Sequence, residues 1–246
     1  MKRSPYPAPY TSAHGRAGIL KILLIAGAIA TGLLLVVDAL SLVFTPLADD
    51  QDVGDNPIGA AILLLTFLPG VLSIIISLAT VVLFLMWLYR AYSNLRAFDP
   101  SRPINYSPLF AVGSFFIPFA NLIVPYRAVE EVWQKSVPPY AAALSKPGTP
   151  AWFPLWWLFW LVSSFVNNIS MRTSFDENVA HSTAATISIV GSALWIIAAV
   201  LANRVVDAID KRQEETSERV NLGKFSGPPP PPTNIPMSDV APTPGF

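Results

Sequence analysis

The chain contains no cysteine, only two histidines and no excess of charge of either sign. Without Cys there can be no disulfide, no iron–sulfur ligation and no thiol nucleophile, and the redox compartment is left open. His14 and His181 both lie outside the apolar runs, so no histidine metal site or proton relay is expected within a bilayer. A net charge of zero supplies no field for a polyanion, so nucleic acid is not an expected partner. The spacings that carry chemistry are absent too. There is no H-E-x-x-H, no glycine loop that cradles a phosphate, no nucleotide motif and no nucleophile–base pair. The expectation is a protein without enzymatic activity and without a cofactor.

Charge of both signs is scarce, at 13% of residues, against about 25% in soluble domains. Hydrophobic residues make up 52% and gather in long runs. The expected class is all-α: a polytopic integral membrane helix bundle of the plasma (inner) membrane, in contact with the lipid bilayer. Four spans are expected, at about 19–44, 58–89 with a kink at Pro69-Gly70, 151–168 and 184–203. The first run is too long for the apolar core of a signal peptide, and no A-x-A site follows it. Asp38 lies sixteen residues beyond Ile22. At about 1.5 Å per residue this is roughly 24 Å into a core about 30 Å thick, near the outer boundary. An intramembrane carboxylate is a candidate functional group, unless one further turn of helix brings it to water.

The flanks read differently. Residues 1–17 are expected to form a disordered cytoplasmic arm, and 222–246, with five consecutive prolines, a Pro-rich disordered tail. Residues 204–221 are expected to continue the last span as a cytoplasmic helix. Its apolar stripe (Val205, Val206, Ile209, Val220) is narrow, and Asp207–Lys211 and Glu215–Arg219 stand i,i+4. Trp152, Trp156, Trp157 and Trp160 open the third span as an interface anchor, with a ligand cage as the sharper alternative.

The central segment is the unusual one. Residues 108–124 are apolar but carry Pro118 and Asn121 and are barely long enough to span. Pro125 is expected to start an amphipathic helix, 125–137, at the membrane surface. Its stripe is Tyr126, Val129, Val132, Trp133 and Val137, with Arg127, Glu131, Gln134 and Lys135 opposite. If 108–124 is re-entrant or interfacial, both termini are cytoplasmic and fifteen of the sixteen Lys and Arg residues fall inside; a fifth crossing leaves only eight there. The positive-inside rule favours the first arrangement. It places Arg90, Asn94, Asn121, Arg127 and Glu130 together as a candidate polar cluster at the inner face.

The motifs W-L-Y-R-x-x-x-N, from Trp87, and F-I-P-x-A-N-L-x-x-P-Y-R-x-x-x-E-x-W, from Phe116, fix residue type and spacing over many positions. With the following W-F-P-L-W-W run they resemble the bacterial membrane family of domain of unknown function 4328 (DUF4328), over about residues 81–170. That resemblance implies a membrane protein and no particular activity. The reading that follows is a structural or regulatory protein that binds a partner through the amphipathic helix or the Pro-rich tail, with a homo-oligomer left open. The alternative is an oligomeric small-solute or ion transporter or channel built on the broken central segment.

Overall fold

The computed structural model describes residues 10–44, 57–138, 148–176 and 179–225. These residues are helical, without strands. They form α1 (His14–Phe44), α2 (Pro57–Phe98), α3 (Pro108–Gly113), a 3₁₀ turn (Ser114–Phe116), α4 (Ala120–Lys135), α5 (Trp152–Thr173) and α6 (His181–Phe225). The first nine residues, residues 45–56 between the first two expected spans, and the Pro-rich tail beyond Phe225 lie outside the described residues.

Among the described residues, three helices are long and apolar enough to cross a membrane, over His14–Leu40, Phe67–Phe98 and Ser182–Val220. α5 has 22 residues but is richer in Trp and Asn, and so less apolar than those three. On α1, Ile19, Ile22, Ile25, Ile29, Leu33 and Val36 are exposed at helical spacing. The opposite stripe, Ala17, Leu20 and Leu24, is buried, as is Ala13 just before the helix. An exposed aliphatic stripe is what a helix needs toward lipid, which cannot satisfy polar groups. α6 is the central helix, packed along both α1 and α5, and α1 also packs on α2.

Several boundaries differ from expectation. The N-terminal arm is ordered from Tyr10, and α1 begins at His14 rather than Ile19. Ser12 Oγ accepts the His14 N–H at 3.1 Å, satisfying one of the helix's open donors. α2 stays one helix through Pro69, which removes one donor from the ladder, because keeping the rest of the helix is the cheapest way to pair backbone in lipid. It runs past Tyr89 to Phe98, where the Asp99 carboxylate takes the Ser101 N–H at 3.1 Å and faces Arg102 at 3.3 Å. The connection between the spans expected at 151–168 and 184–203 is shorter, since α5 continues to Thr173 and α6 starts at His181.

α4 starts at Ala120, not at Pro125. Phe119 adopts φ 63°, a left-handed conformation unusual for a residue with a side chain, and turns the chain there. The N–H groups of Ala120 and Asn121 are already bonded, to Pro118 and Ile117 carbonyls at 2.8 and 2.9 Å. The helix can therefore begin early, and Pro125 costs it one donor from inside. Its apolar stripe does not lie on a membrane surface. Ala128, Val129 and Val132 are fully buried, and α4 packs against α2, α5 and α6. A helix with charges on one side and protein on the other has the same sequence pattern as one floating on lipid.

The segment between α2 and the end of α4 goes out and comes back. Arg102 Nη1 donates to the Lys135 carbonyl at 3.0 Å, and Lys135 Nζ to the Pro103 carbonyl at 2.6 Å, so its two ends meet. Between those ends, Phe115 stacks edge-on against Phe84 at 5.8 Å, and Trp157 Nε1 donates to the Leu122 carbonyl at 2.9 Å.

Small residues set the α5–α6 distance. A Cβ at Gly191 would stand 2.2 Å from Asn167 Oδ1 and 3.2 Å from Val166 Cγ1, whereas one at Gly32 would meet nothing within 4 Å. Gly191→Ala is expected to cost about 1–3 kcal/mol, seen as a lower Tm in detergent, while Gly32→Ala leaves Tm unchanged. Equal Tm values for the two variants would remove Gly191 from the packing account.

Candidate functional site

Two places in the fold gather chemistry-bearing side chains. One is the polar end of the bundle, where the 99–107 loop and the ends of α2, α4 and α6 meet. The other is an aromatic cavity farther along α2.

At the polar end the central group is Glu131, which is 4% exposed. Its carboxylate accepts the Tyr92 hydroxyl of α2, the Asn105 N–H at 2.8 Å and the Lys135 ammonium. The Tyr92 oxygen in turn accepts the Tyr106 N–H at 3.0 Å. One carboxylate thus ties α2, α4 and the 102–106 loop together. Leaving such a charge buried and unpaired would be prohibitive.

Beside it, Gln213 of α6 bridges three elements. Its Nε2 donates to the Ala91 carbonyl at 2.8 Å and to Ser136 Oγ at 3.0 Å, and its Oε1 accepts Asn94 Nδ2 at 3.1 Å. Asn94 also donates to the Thr11 carbonyl at 3.0 Å. Arg212 Nε donates to the Ser136 carbonyl at 3.1 Å, and its guanidinium lies 4.0 Å over the Trp133 ring. The N-terminal arm and the first turns of α1 close this end. Tyr10 Oη donates to Glu214 at 2.9 Å, His14 Nδ1 meets Asp210 at 2.7 Å, and Lys21 pairs with Asp207 at 2.7 Å. Burial first, and then the Glu214 carboxylate, push the Tyr10 hydroxyl above its ordinary pKa and keep it a donor. The expected stripe on α6 (Val205, Val206, Ile209) is fully buried by the chain's own helices, so that part needs no outside partner.

Of the five residues expected to cluster, Asn94 alone is inside this network. Arg127 is exposed and faces Glu130 at 3.6 Å. Glu130 accepts Tyr126 Oη at 3.1 Å and Thr149 Oγ1 at 3.2 Å. Burial, then the Glu130 charge, push the Tyr126 hydroxyl up to about 12. Arg90 is half-buried, and its Nε has no partner among the described residues. Asn121 lies in the cavity. No hydrogen bond or ion pair among the described residues joins Arg90, Asn94, Asn121 and the Arg127–Glu130 pair, so the cluster divides into separate sites. Asp38 stands apart from all of them and accepts Ser188 Oγ at 2.6 Å, across α1 and α6.

Sequence reasoning set Glu131 on the solvated face and missed its role. The signal was present, since Glu131 is the fixed Glu of the Y-R-x-x-x-E-x-W motif and stands i,i+4 before Lys135. Tyr92 and Gln213 carried no sequence signal.

The cavity, of about 320 Å³, is walled by α2, the 3₁₀ turn, α5 and α6, with Trp156, Trp157, Trp160 and Trp195 in its lining. Trp156 and Trp157 are buried in the protein, so three of the four tryptophans expected to anchor an interface, Trp156, Trp157 and Trp160, wall a cavity instead, and Trp152 does not. A pattern of Trp at one end of an apolar helix does not distinguish the two.

The Domain of unknown function (DUF4328) family description matches residues 58–211. The chain belongs to the DUF4328 family. The match reaches beyond the motifs on both sides, taking in α2 from its first turn and α6 as far as Lys211, and so includes the Tyr92–Glu131 lock and Asn121. No curated protein and no solved structure matches the chain.

Tyr92→Phe is expected to leave the Glu131 carboxylate and the Tyr106 N–H each short of a partner, costing about 1–3 kcal/mol. The measurement is Tm in detergent, with the exposed Arg127→Gln as the control that stays within about 0.5 kcal/mol. A Tyr92→Phe protein as stable as the control would show that the lock is incidental.

Proposed function

We propose that this DUF4328 protein has no enzymatic activity and is a structural or regulatory protein of the plasma (inner) membrane that acts by binding. Four crossings and one re-entrant hairpin set it in the bilayer, with both termini cytoplasmic. The observation that carries this reading is the return of the 102–135 segment to its starting end, held by the Arg102 and Lys135 contacts to backbone carbonyls. A segment that returns contributes no net crossing, and α5 then supplies the fourth span beside α1, α2 and α6. At about 1.5 Å per residue, its 22 residues reach roughly 33 Å, enough for the core. The basic residues follow the same arrangement. The α4 stripe is already covered by protein, which leaves the Pro-rich tail as the route to a protein partner.

The alternative, an oligomeric transporter or channel, finds less support. No ionisable side chain lines the aromatic cavity, and Asp38 and Glu130 are each engaged within the chain. An ion or solute flux from reconstituted vesicles that Asp38→Asn abolished would reverse that preference.

Single-cysteine labelling tests the topology, because the chain has no cysteine of its own. Ser101→Cys, Ser145→Cys and Ser174→Cys are expected to give label from an impermeant maleimide in intact cells at position 174 alone. Label at 145, with none at 101 and 174, would make the central segment a true span and overturn the four-crossing arrangement.

A further inference from the structure

We infer that the aromatic cavity is a binding site for an apolar chain bearing a hydroxyl group, with Asn121 as the acceptor for that hydroxyl. This deepens the reading that the protein acts by binding, but it does not depend on the number of crossings.

The first observation is the cavity itself. About 320 Å³ is within the range of built ligand sites. Its walls are mostly Trp, Phe, Leu, Val and Ala, with Ser77, Thr80 and Asn121 as the polar members, so water inside would find few partners, and a space of that kind takes an apolar guest. The second observation is access. Val81 and Phe116, both in the lining, are also exposed on the outer surface, at 52% and 71%. Val81 belongs to a candidate membrane-crossing stretch. The way in is therefore from the bilayer, which excludes hydrophilic solutes and admits chains already dissolved in lipid.

The third observation selects among such chains. Asn121 Oδ1 is buried and has no hydrogen-bond partner among the described residues. Polar atoms in that state are rare, because an unmade bond at a buried group is costly. Two donors of the lining are committed elsewhere: Trp157 Nε1 to the Leu122 carbonyl at 2.9 Å, and Thr80 Oγ1 to the Ile76 carbonyl at 2.7 Å. What Asn121 Oδ1 lacks is a donor, and a ligand hydroxyl supplies one. A carboxylate or phosphate would instead bring a charge into a cavity whose lining includes no Lys, Arg or His.

The hydroxyl can belong to a free long-chain alcohol or to a lipid glycerol. Four of the seven tryptophans line the cavity, so bromine quenching of Trp emission reads its occupancy. The full-length protein in nanodiscs is titrated with a terminally brominated fatty alcohol, the matching bromoalkane and a terminally brominated monoacylglycerol. The expected result is saturable quenching, with half-saturation by one of the hydroxyl-bearing probes on the order of tenfold lower than by the alkane. The tighter of the two names the source of the hydroxyl. Asn121→Leu is expected to bring that probe to the alkane's half-saturation, and Ala199→Phe, which fills the cavity, to remove the saturable phase for every probe. Quenching that rises linearly with each probe, or that Ala199→Phe leaves intact, overturns the site. Equal half-saturation for all three in the parent protein overturns the role of Asn121. Should Ala199→Phe fail to fold, the comparison of parent with Asn121→Leu carries the test alone. Failure here leaves the maleimide pattern unchanged, so the two readings fail separately.

Discussion

A carboxylate removed from water must be met by donors from every side, and Glu131 imposes that requirement on the fold. Its donors come from α2, from the loop after α2, and from its own helix one turn on. These are the pieces that must be in register for the central segment to turn back and close against α6. A hydrophobic contact at the same place would permit sliding. A buried charge with three directional partners does not, because each displaced partner leaves a polar group exposed to an apolar surrounding. Gln213 repeats the device one layer farther, joining α6 to the α2 backbone and to Ser136.

The bundle therefore divides along its length. One end is held by polar side chains of high directionality and is sealed by Tyr10 of the N-terminal arm and His14 at the start of α1. The rest of the described residues are held largely by apolar packing and by close approach of small residues, as at Gly191 against Asn167 and at Gly27 against Trp195. In lipid, dispersion and close packing replace the hydrophobic drive between helices, which is why glycine falls at these contacts. The aromatic cavity lies just inside this second region. Its walls include the rings of four tryptophans, and the strained turn at Phe119 is two residues from Asn121.

The candidate site was partly legible. Asn94, Asn121, Glu131 and Trp133 are fixed members of the motifs, and each has a distinct place: the Gln213 bridge, the cavity, the lock, and the platform under Arg212. The cluster of Arg90, Asn94, Asn121, Arg127 and Glu130, expected from the placement of basic residues on one side of the membrane, is not joined by hydrogen bonds or ion pairs among the described residues. Projection on a helical wheel set Glu131 toward water because a wheel sorts charged from apolar faces and takes no account of a neighbour able to bury a charge. Tyr92 and Gln213 could not be found at all, since a Tyr and a Gln become partners only when helices far apart in sequence are brought side by side.

The sequence by itself determined that this protein is helical and membrane-bound, where its long apolar helices lie, and that the stretch with Pro118, Asn121 and Pro125 is not an ordinary span. These follow from composition and local spacing, because an apolar run of sufficient length has few other solutions in water or lipid. Only the tertiary structure decided what covers the amphipathic α4, which of two adjacent glutamates is buried, and that a tryptophan cluster walls a cavity. The physical reason is the same in each case. An apolar stripe, a carboxylate and an indole each require a surrounding of a given kind, and that surrounding comes from residues a hundred positions away as readily as from lipid or water.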